Sequence, residues 1–463
     1  MDTTKQNAWA YIDANQEKYT DISHQVWDFA ELSLKEFKSA ALYEEALKRE
    51  GFTVETGLSG IETAFSGSFT VGEGGPVIGI LGEFDALSGL SQKANSLKRE
   101  AADRADDAGH GCGHNMLGAA SFGAACAVKD FLEKTGTPGT VVFYGCPGEE
   151  GGAAKAYLAR EGYWKRLDAA VSWHPDDSNA IMTGTSNSCT QVLYRFTGLA
   201  AHAAGNPEEG RSALDAVELL NIGVQFLREH MKDDCRIHYS IIDGGGVSPN
   251  VVQPHASVLY MVRATKVSDT LKLQERVDKI AEGAALMTDT TFERIFVDGT
   301  ANLIPNVPLE KVLYENLKDT PLPEYTEAEE NYASALRATY ADLSDGKPAI
   351  KKEIEEYIPS DAFHPGSTDV GDVSWLTPTA QIVTATFPNG APGHSWQNVS
   401  CGASTVGDKG LIFAAKVLAG SVIDLFEKPE IIEEAKAEFA KRTEKEGYLC
   451  PIPEDAIPYV IEV

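Results

Sequence analysis

The chain has 463 residues, too many for one small core, so two domains are expected. Hydrophobic residues make up 43% and charged residues 24%, the balance of a globular enzyme, while 40 basic against 69 acidic side chains leave a net charge of −29. Such a surface repels phosphate backbones and anionic membranes, which excludes nucleic-acid and membrane partners; an anionic substrate needs local arginines or metal ions to draw it in.

The first residues, MDTTKQNAWAYIDANQEKYTDI, have no basic start followed by an apolar core, and no run of 18 apolar residues follows anywhere. Seven cysteines, odd in number and scattered, fit reduced thiols better than a disulfide framework. The expected compartment is cytoplasmic.

Residues 5–50 have helical spacing: Trp9, Ile12, Ile22, Val26, Phe29, Leu32, Leu42 and Leu47 recur with its period. Short apolar runs then read as buried strands: PVIGIL (76–81), TVVFYG (140–145), AAVSW (169–173) and AQIVTATF (380–387). Helical stretches such as 115–133 lie between them. Buried strands alternating with helices predict an α/β fold, a mostly parallel sheet with helices on both faces. The middle differs. Strands at 191–198, 236–243, 256–264 and 291–298 and helices near 211–231 and 267–287 give the order β-α-β-β-α-β. This predicts an inserted, ferredoxin-like domain over 187–303, splitting a larger domain into 1–186 and 304–463. Two long polar stretches, 88–109 and 319–365, have the length of lids or binding loops, the second with a helix near 325–342. The charged segment 428–446 reads as an exposed helix.

Chemistry collects after the buried strands. PVIGIL runs into Glu83 and Asp85, TVVFYG into Glu149 and Glu150, AAVSW into His174, and AQIVTATF into His394. Ligands of open α/β sheets bind beyond the carboxyl ends of the strands, so these residues and the glycine-spaced loop GHGCGHNML (109–117) point to one site. The glycines of that loop remove bulk and let Cys112 and His114 converge with the others. A thiolate, a carboxylate and three imidazoles suit one or two borderline divalent cations such as Zn²⁺ or Mn²⁺. Adjacent side chains in a loop point apart, so one of Glu149 and Glu150 can hold metal while the other faces substrate as a general base. These parts suit metal-assisted amide hydrolysis. By pattern alone His202 reads as a structural histidine, as do His24, His230, His238, His255 and His364; His110 is left unassigned, with a supporting or structural role expected.

The segments GEFDALSGLSQ (82–92), GHGCGHNMLG (109–118), FYGCPGEEGG (143–152), WHP (173–175), GLAAHAAGNPEEGRSALDAV (198–217), GGGVSPNVVQ (244–253), AEGAALMT (281–288) and STDVGDVSW (367–375) follow in order across nearly the whole chain. With them the sequence resembles the aminoacylase/carboxypeptidase-type metallo-amidohydrolases. The resemblance implies that Cys112, His114, Glu150, His174 and His394 are metal ligands and Glu149 the general base. It implies that His202 reaches into a partner subunit's site to stabilise the oxyanion, making the inserted domain a lid and dimerisation unit. It also places Asn250 and Arg263 on the substrate carboxylate. One departure stands out: Glu83-Phe84-Asp85 replaces the His-x-Asp of many relatives, leaving open whether either acid touches metal, with Asp85 the candidate to orient a ligand. The expected activity is cleavage of an N-acyl or N-aroyl amino acid, or a dipeptide, by a metal-dependent homodimer. Two alternatives remain: an accessory or ligand-binding subunit of a heteromeric hydrolase, paired with a paralogue and weakly active alone, and cysteine catalysis through Cys112 with His110 or His114.

Overall fold

The structure, a computed structural model, describes residues 3–104 and 107–461. Residues 105 and 106 of the expected long loop at 88–109 therefore lie outside the described residues. In chain order the described strands are β1 (Thr53–Thr56), β2 (Phe65–Val71), β3 (Val77–Gly82), β4 (Gly139–Gly145), β5 (Ala169–Asp176), β6 (Ala180–Met182), β7 (Ser188–Thr197), β8 (Arg236–Asp243), β9 (His255–Ala264), β10 (Thr291–Thr300) and β11 (Thr379–Ala385). The chain forms two compact units. The first runs up to Gly184 and takes in Ile304–Ala362 and Val373–Tyr448; the second comprises Thr185–Leu303, Phe363–Asp372 and the chain from Leu449 on.

The first unit is built on a seven-stranded mixed sheet in the order β1-β2-β4-β3-β5-β11-β6. Its four central strands are parallel: β4 with β3, β3 with β5, and β5 with β11. The flanking strands run antiparallel, which corrects the expectation of a mostly parallel sheet. Sequence periodicity overlooks these three for a physical reason. β1 (Thr-Val-Glu-Thr) is exposed, β6 has only three residues, and β2 alternates Phe, Ser, Gly and Thr without a continuous apolar run. The four strands that sequence does single out are the buried ones.

Helices cover this sheet. The helical 5–50 stretch is three helices, Thr3–Ala14, Gln16–Phe29 and Phe37–Arg49, broken at Asn15 and again where Ala30 and Leu34 adopt left-handed φ of 43° and 62°. Helix His114–Thr135 is buried along almost its entire length, as is Thr405–Glu427, the mark of core helices. In the first, Gly118 is required by packing, because a Cβ there would lie 2.6 Å from the Tyr43 hydroxyl and 2.7 Å from the Glu83 carbonyl oxygen. The charged segment near the C-terminus forms helix Pro429–Thr443, and the 319–365 stretch carries helix Glu327–Arg337, opened by a Thr326/Glu329 capping box.

The second unit pairs its strands antiparallel in the order β10-β7-β9-β8, with helices Ala213–Arg228 and Val267–Thr288 packed on the sheet through Val192, Tyr194, Leu220, Val224, Val258, Tyr260 and Val277. Residues 363–372, which the sequence assigns to the flanking domain, belong here: the Asn187 amide donates to the Pro365 carbonyl, and the Ala301 N–H donates to Asp372. Tyr459, far along the chain, accepts from Arg195 at 3.2 Å.

One buried ion pair ties three helices of the first unit together. Lys5 donates to Asp424 Oδ2 at 2.5 Å, where the Asn316 amide also donates at 2.7 Å, and Lys428 takes the other oxygen. Burial opposes the Asp424 charge, but these donors overcome it and hold its pKa below the ordinary value. A depressed carboxylate contributes stability at neutral pH that is lost as pH falls below the unfolded-state pKa. Asp424→Ala, which strands the buried Lys5 ammonium, is expected to cost about 3–5 kcal/mol. Chemical denaturation at pH 7 measures the loss; at pH 3 the gap between variant and wild type should narrow.

Candidate metal centre

Because β4, β3, β5 and β11 are parallel neighbours, their carboxyl ends share one edge of the sheet. From β3 come Glu83 and Asp85, from the turn after β4 Glu149 and Glu150, from β5 itself His174, and from the loop after β11 His394. Cys112 and His114 arrive from the loop that opens helix His114–Thr135. There Gly113 is forced twice over, by a φ of +84° and by Pro175, Met116 and Phe387, each within about 3 Å of where a Cβ would sit.

These residues converge. Donor atoms of Cys112, His114 and His174 lie within 4.8 Å of one another, and so do those of Cys112, Glu150 and His394; Cys112 belongs to both triads. A third group combines Glu83, His114 and Glu149. All five ligands expected from sequence are therefore brought together, with Glu149 alongside.

The hydrogen bonds decide which nitrogens are available. His114 Nδ1 lies 2.8 Å from Asp85 Oδ1. Burial works against the Asp85 charge, but His114 beside it, the Glu150 N–H and the Ser33 hydroxyl hold its pKa down to about 2. A carboxylate accepts only, so His114 Nδ1 carries a proton. Burial opposes the ring's charge, but Cys112 and Asp85 beside it raise its pKa well above the ordinary value, so a cation at Nε2 would take the place of a second proton. His174 is treated alike: its Nδ1 faces the Pro175 carbonyl at 2.8 Å, and Nε2 lies 3.3 Å from Cys112 Sγ. Burial, reinforced by His114, pushes the His174 pKa down to about 4, keeping the ring neutral. His394 Nε2 comes within 3.3 Å of Glu150 Oε1 from a residue with a strained φ of 52°, a conformation found where function over-determines the backbone.

The donor set fits a divalent cation. His114 Nε2 is buried with no hydrogen-bond partner, as is Glu150 Oε1. Two buried polar atoms without hydrogen bonds in one cluster are costly unless a cation satisfies them. Burial pushes the Cys112 thiol well up, so it is a poor nucleophile by itself and a ligand only beside positive charge.

Three groups at the site carry no sequence signal strong enough to single them out. Ser33 and Glu36 precede helix Phe37–Arg49, and the buried Glu36 accepts from the N–H groups of Leu34 and Gly148 and from Thr63, fixing the turn that presents Glu149 and Glu150. Burial, with Asp85 adding to it, raises the Glu36 pKa to about 8, so it is held largely as the neutral acid. Lys155 places its ammonium 2.7 Å from Glu83 Oε1, both side chains buried; a lone charge in the apolar stretch AAKAYLA was the available hint. His110, unassigned from sequence, places Nε2 3.0 Å from the Val26 carbonyl, and burial lowers its pKa to about 3; it pins helix Gln16–Phe29 to the loop.

The remaining expected residues lie in the second unit. His202 pairs with Val251 across an isolated bridge, and the Ala203 N–H donates to the Asn250 carbonyl, so His202 and Asn250 are neighbours. Arg263 is apart from them. It stands at the far end of β9, eight residues beyond His255, a distance of roughly 26 Å along a strand, and its Nη1 donates to Ser367.

A parallel-centred α/β sheet with this donor cluster at its carboxyl edge defines an amide-hydrolysing enzyme, and the chain belongs to peptidase family M20/M25/M40, whose family model matches residues 79–398. It is similar along its length to one of the two p-aminobenzoyl-glutamate hydrolase subunits of Escherichia coli (strain K12), at 42% identity over 96% of this chain and 97% of that protein. Xaa-Arg dipeptidase of Homo sapiens is 27% identical over 95% of this chain and 92% of its own. The fold is shared with an aminobenzoyl-glutamate utilization protein of Klebsiella pneumoniae (TM-score 0.60, 14% identity, 90% of this chain and 98% of that one). A dinuclear metal-binding M20 peptidase of Bacillus subtilis shares it too (TM-score 0.55, 17% identity, 90% and 99%). No helix among the described residues is long and apolar enough to cross a membrane.

Asp85→Asn tests the orienting role of this carboxylate. An amide can present its NH₂ to His114 Nδ1 and reverse the tautomer; the affinity for Mn²⁺ or Zn²⁺ should fall about 10–100-fold, read by calorimetric titration of chelator-treated protein.

Proposed function

We propose that this chain is a metal-dependent amidohydrolase that cleaves the amide of an N-acyl or N-aroyl amino acid of the p-aminobenzoyl-glutamate kind, or of a dipeptide. The observation that carries the proposal is the sharing of Cys112 between two donor triads, with Nδ1 of His114 and of His174 already engaged by Asp85 and the Pro175 carbonyl. Similarity to the E. coli hydrolase and to the dipeptidase supports the substrate class.

In this proposal Cys112, His114, Glu150, His174 and His394 hold one or two divalent cations, Zn²⁺ or Mn²⁺. A bound cation supplies Lewis acidity toward water and the scissile carbonyl. Glu149, adjacent to ligand Glu150 and outside both Cys112 triads, takes the proton of the attacking water and returns it to the leaving amine. His202 serves the oxyanion. Its Nδ1 accepts from the N–H groups of Ala204 and Gly205, so the proton sits on Nε2, the donor an oxyanion requires. Asn250 and Arg263 bind the substrate carboxylate, Arg263 from one chain meeting Asn250 lent with its neighbour His202 by the other, and Arg263 provides the local positive charge that so acidic a chain needs.

The roughly 26 Å of β9 between Arg263 and His255, the end next to which Val251 and His202 lie, exceeds what one small substrate spans, so in one chain the two ends of β9 serve different sites. That separation supports the reading of the second unit as a ferredoxin-like lid and dimerisation domain, within limits of about 187–303, lending His202 to a partner subunit. The outer face of helix Ala213–Arg228 exposes Phe226 (71%) and Ile222 (52%), and β8 is a sheet edge with Tyr239 and Ile241 exposed. These surfaces suit a second copy. The cytoplasm remains the proposed compartment.

A second reading, a subunit with little activity alone, is favoured by the similarity to a protein named as one subunit of a hydrolase. The other E. coli subunit is also related, at 28% identity over 48% of this chain and 54% of its own. Assay of the purified chain with and without a paralogue resembling that other subunit separates the two readings.

Glu149→Ala should keep its metal content and lose turnover of N-aroyl glutamates by about 10²–10⁴-fold. Near-normal turnover would remove Glu149 from the mechanism. Phe226→Asp should shift the protein toward monomer in size-exclusion chromatography and lower activity with it; a dimer left unchanged would exclude this face.

A further inference from the structure

Of the three donor groups at the sheet edge, Glu83-His114-Glu149 is the odd one. Two carboxylates and an imidazole within 4.8 Å of one another are a cation site by composition. It does not include Cys112, but it shares His114 with the first triad. Glu83 and His114 are essentially buried, and Glu83 Oε2 lies 3.3 Å from His114 Nε2 without hydrogen-bond geometry. Yet a cation is already supplied by the fold. Helix Ala154–Arg160 delivers the fully buried Lys155, whose Nζ lies 2.7 Å from Glu83 Oε1. Lysine is almost never fully buried without a partner, and here Glu83 is one.

We infer that Lys155 is the resident cation of the Glu83-His114-Glu149 group: its ammonium takes the place of a metal ion there, ties up Glu83, and confines metal binding to the donors around Cys112. The inference rests on the proposed metal centre. The physical reason is direct. A divalent ion bound to Glu83 would stand within a few ångströms of a fixed ammonium in a water-poor pocket, where like charges are screened little. Glu83 is thereby taken out of the ligand set, and His114 Nε2 is left to the Cys112 triad.

The test is metal stoichiometry of the full-length protein, by calorimetric titration of chelator-treated samples with Mn²⁺ and by metal analysis after desalting. Lys155→Met frees the Glu83 carboxylate, which with Glu149 can hold a further ion without drawing on His114, and should bind one more equivalent of Mn²⁺ per chain than wild type. The double variant Glu83→Gln/Lys155→Met removes both charges and should return to the wild-type number. Glu83→Gln alone leaves an unbalanced ammonium beside His114 and should weaken Mn²⁺ binding at least tenfold, with the double variant recovering most of that loss. This arm needs no folded Lys155→Met protein. An unchanged stoichiometry in Lys155→Met, an extra equivalent that survives Glu83→Gln, or unchanged affinity in Glu83→Gln would each overturn the inference. A wild type that binds no divalent metal would instead sink the metal centre itself, a distinguishable result. A purely structural lysine would lower the melting temperature of Lys155→Met without altering the number of ions bound.

Discussion

Asp85 is the tie on which the centre depends. One buried carboxylate accepts from a histidine ring, from the backbone of the Glu149-Glu150 turn and from Ser33, and so joins the ends of β3 and β4, the loop before helix His114–Thr135 and the segment before helix Phe37–Arg49. The same contacts that hold its charge in a dry environment set the His114 tautomer and aim the backbone that carries Glu150. Positioning and electrostatics are one arrangement here.

Around that tie the site separates its charges by small displacements. Glu83, two residues before Asp85, is balanced by Lys155; Glu36, which accepts from Gly148 in the turn after β4, has no ion pair among the described residues and is kept largely neutral by burial. Three buried acids in one neighbourhood therefore end in three states: an orienting anion, an ion-paired anion and a neutral acceptor. His114 Nε2 and Glu150 Oε1 are left buried without hydrogen bonds, the atoms a cation would engage.

Much of this was legible in the chain. An apolar strand followed at once by acids or a histidine is unusual, and four such junctions in an α/β pattern place Glu83, Asp85, Glu149, Glu150, His174 and His394 at one sheet edge before any coordinates are known. Glycine spacing around Cys112 marked a loop needing unusual backbone and close approach, and Gly113 meets both demands. Less legible were exposed or short strands such as β1 and β6, which bury too little to leave a periodic trace. Ser33, Glu36 and Lys155 were also missed, because a side chain that works through a distant partner has no local pattern.

By itself the sequence determined the α/β class, the strand-end donor clusters and the two-part organisation, since burial and turn chemistry are written in residue type and local spacing. Only the tertiary structure decided what engages Nδ1 of His114 and of His174, that Lys155 meets Glu83, that Glu36 is buried, and that Arg263 stands at the end of β9 away from the loops of His202 and Asn250. Each of these depends on contacts between segments tens to hundreds of residues apart, or on the length of a strand in space, and neither is encoded in any single stretch of chain.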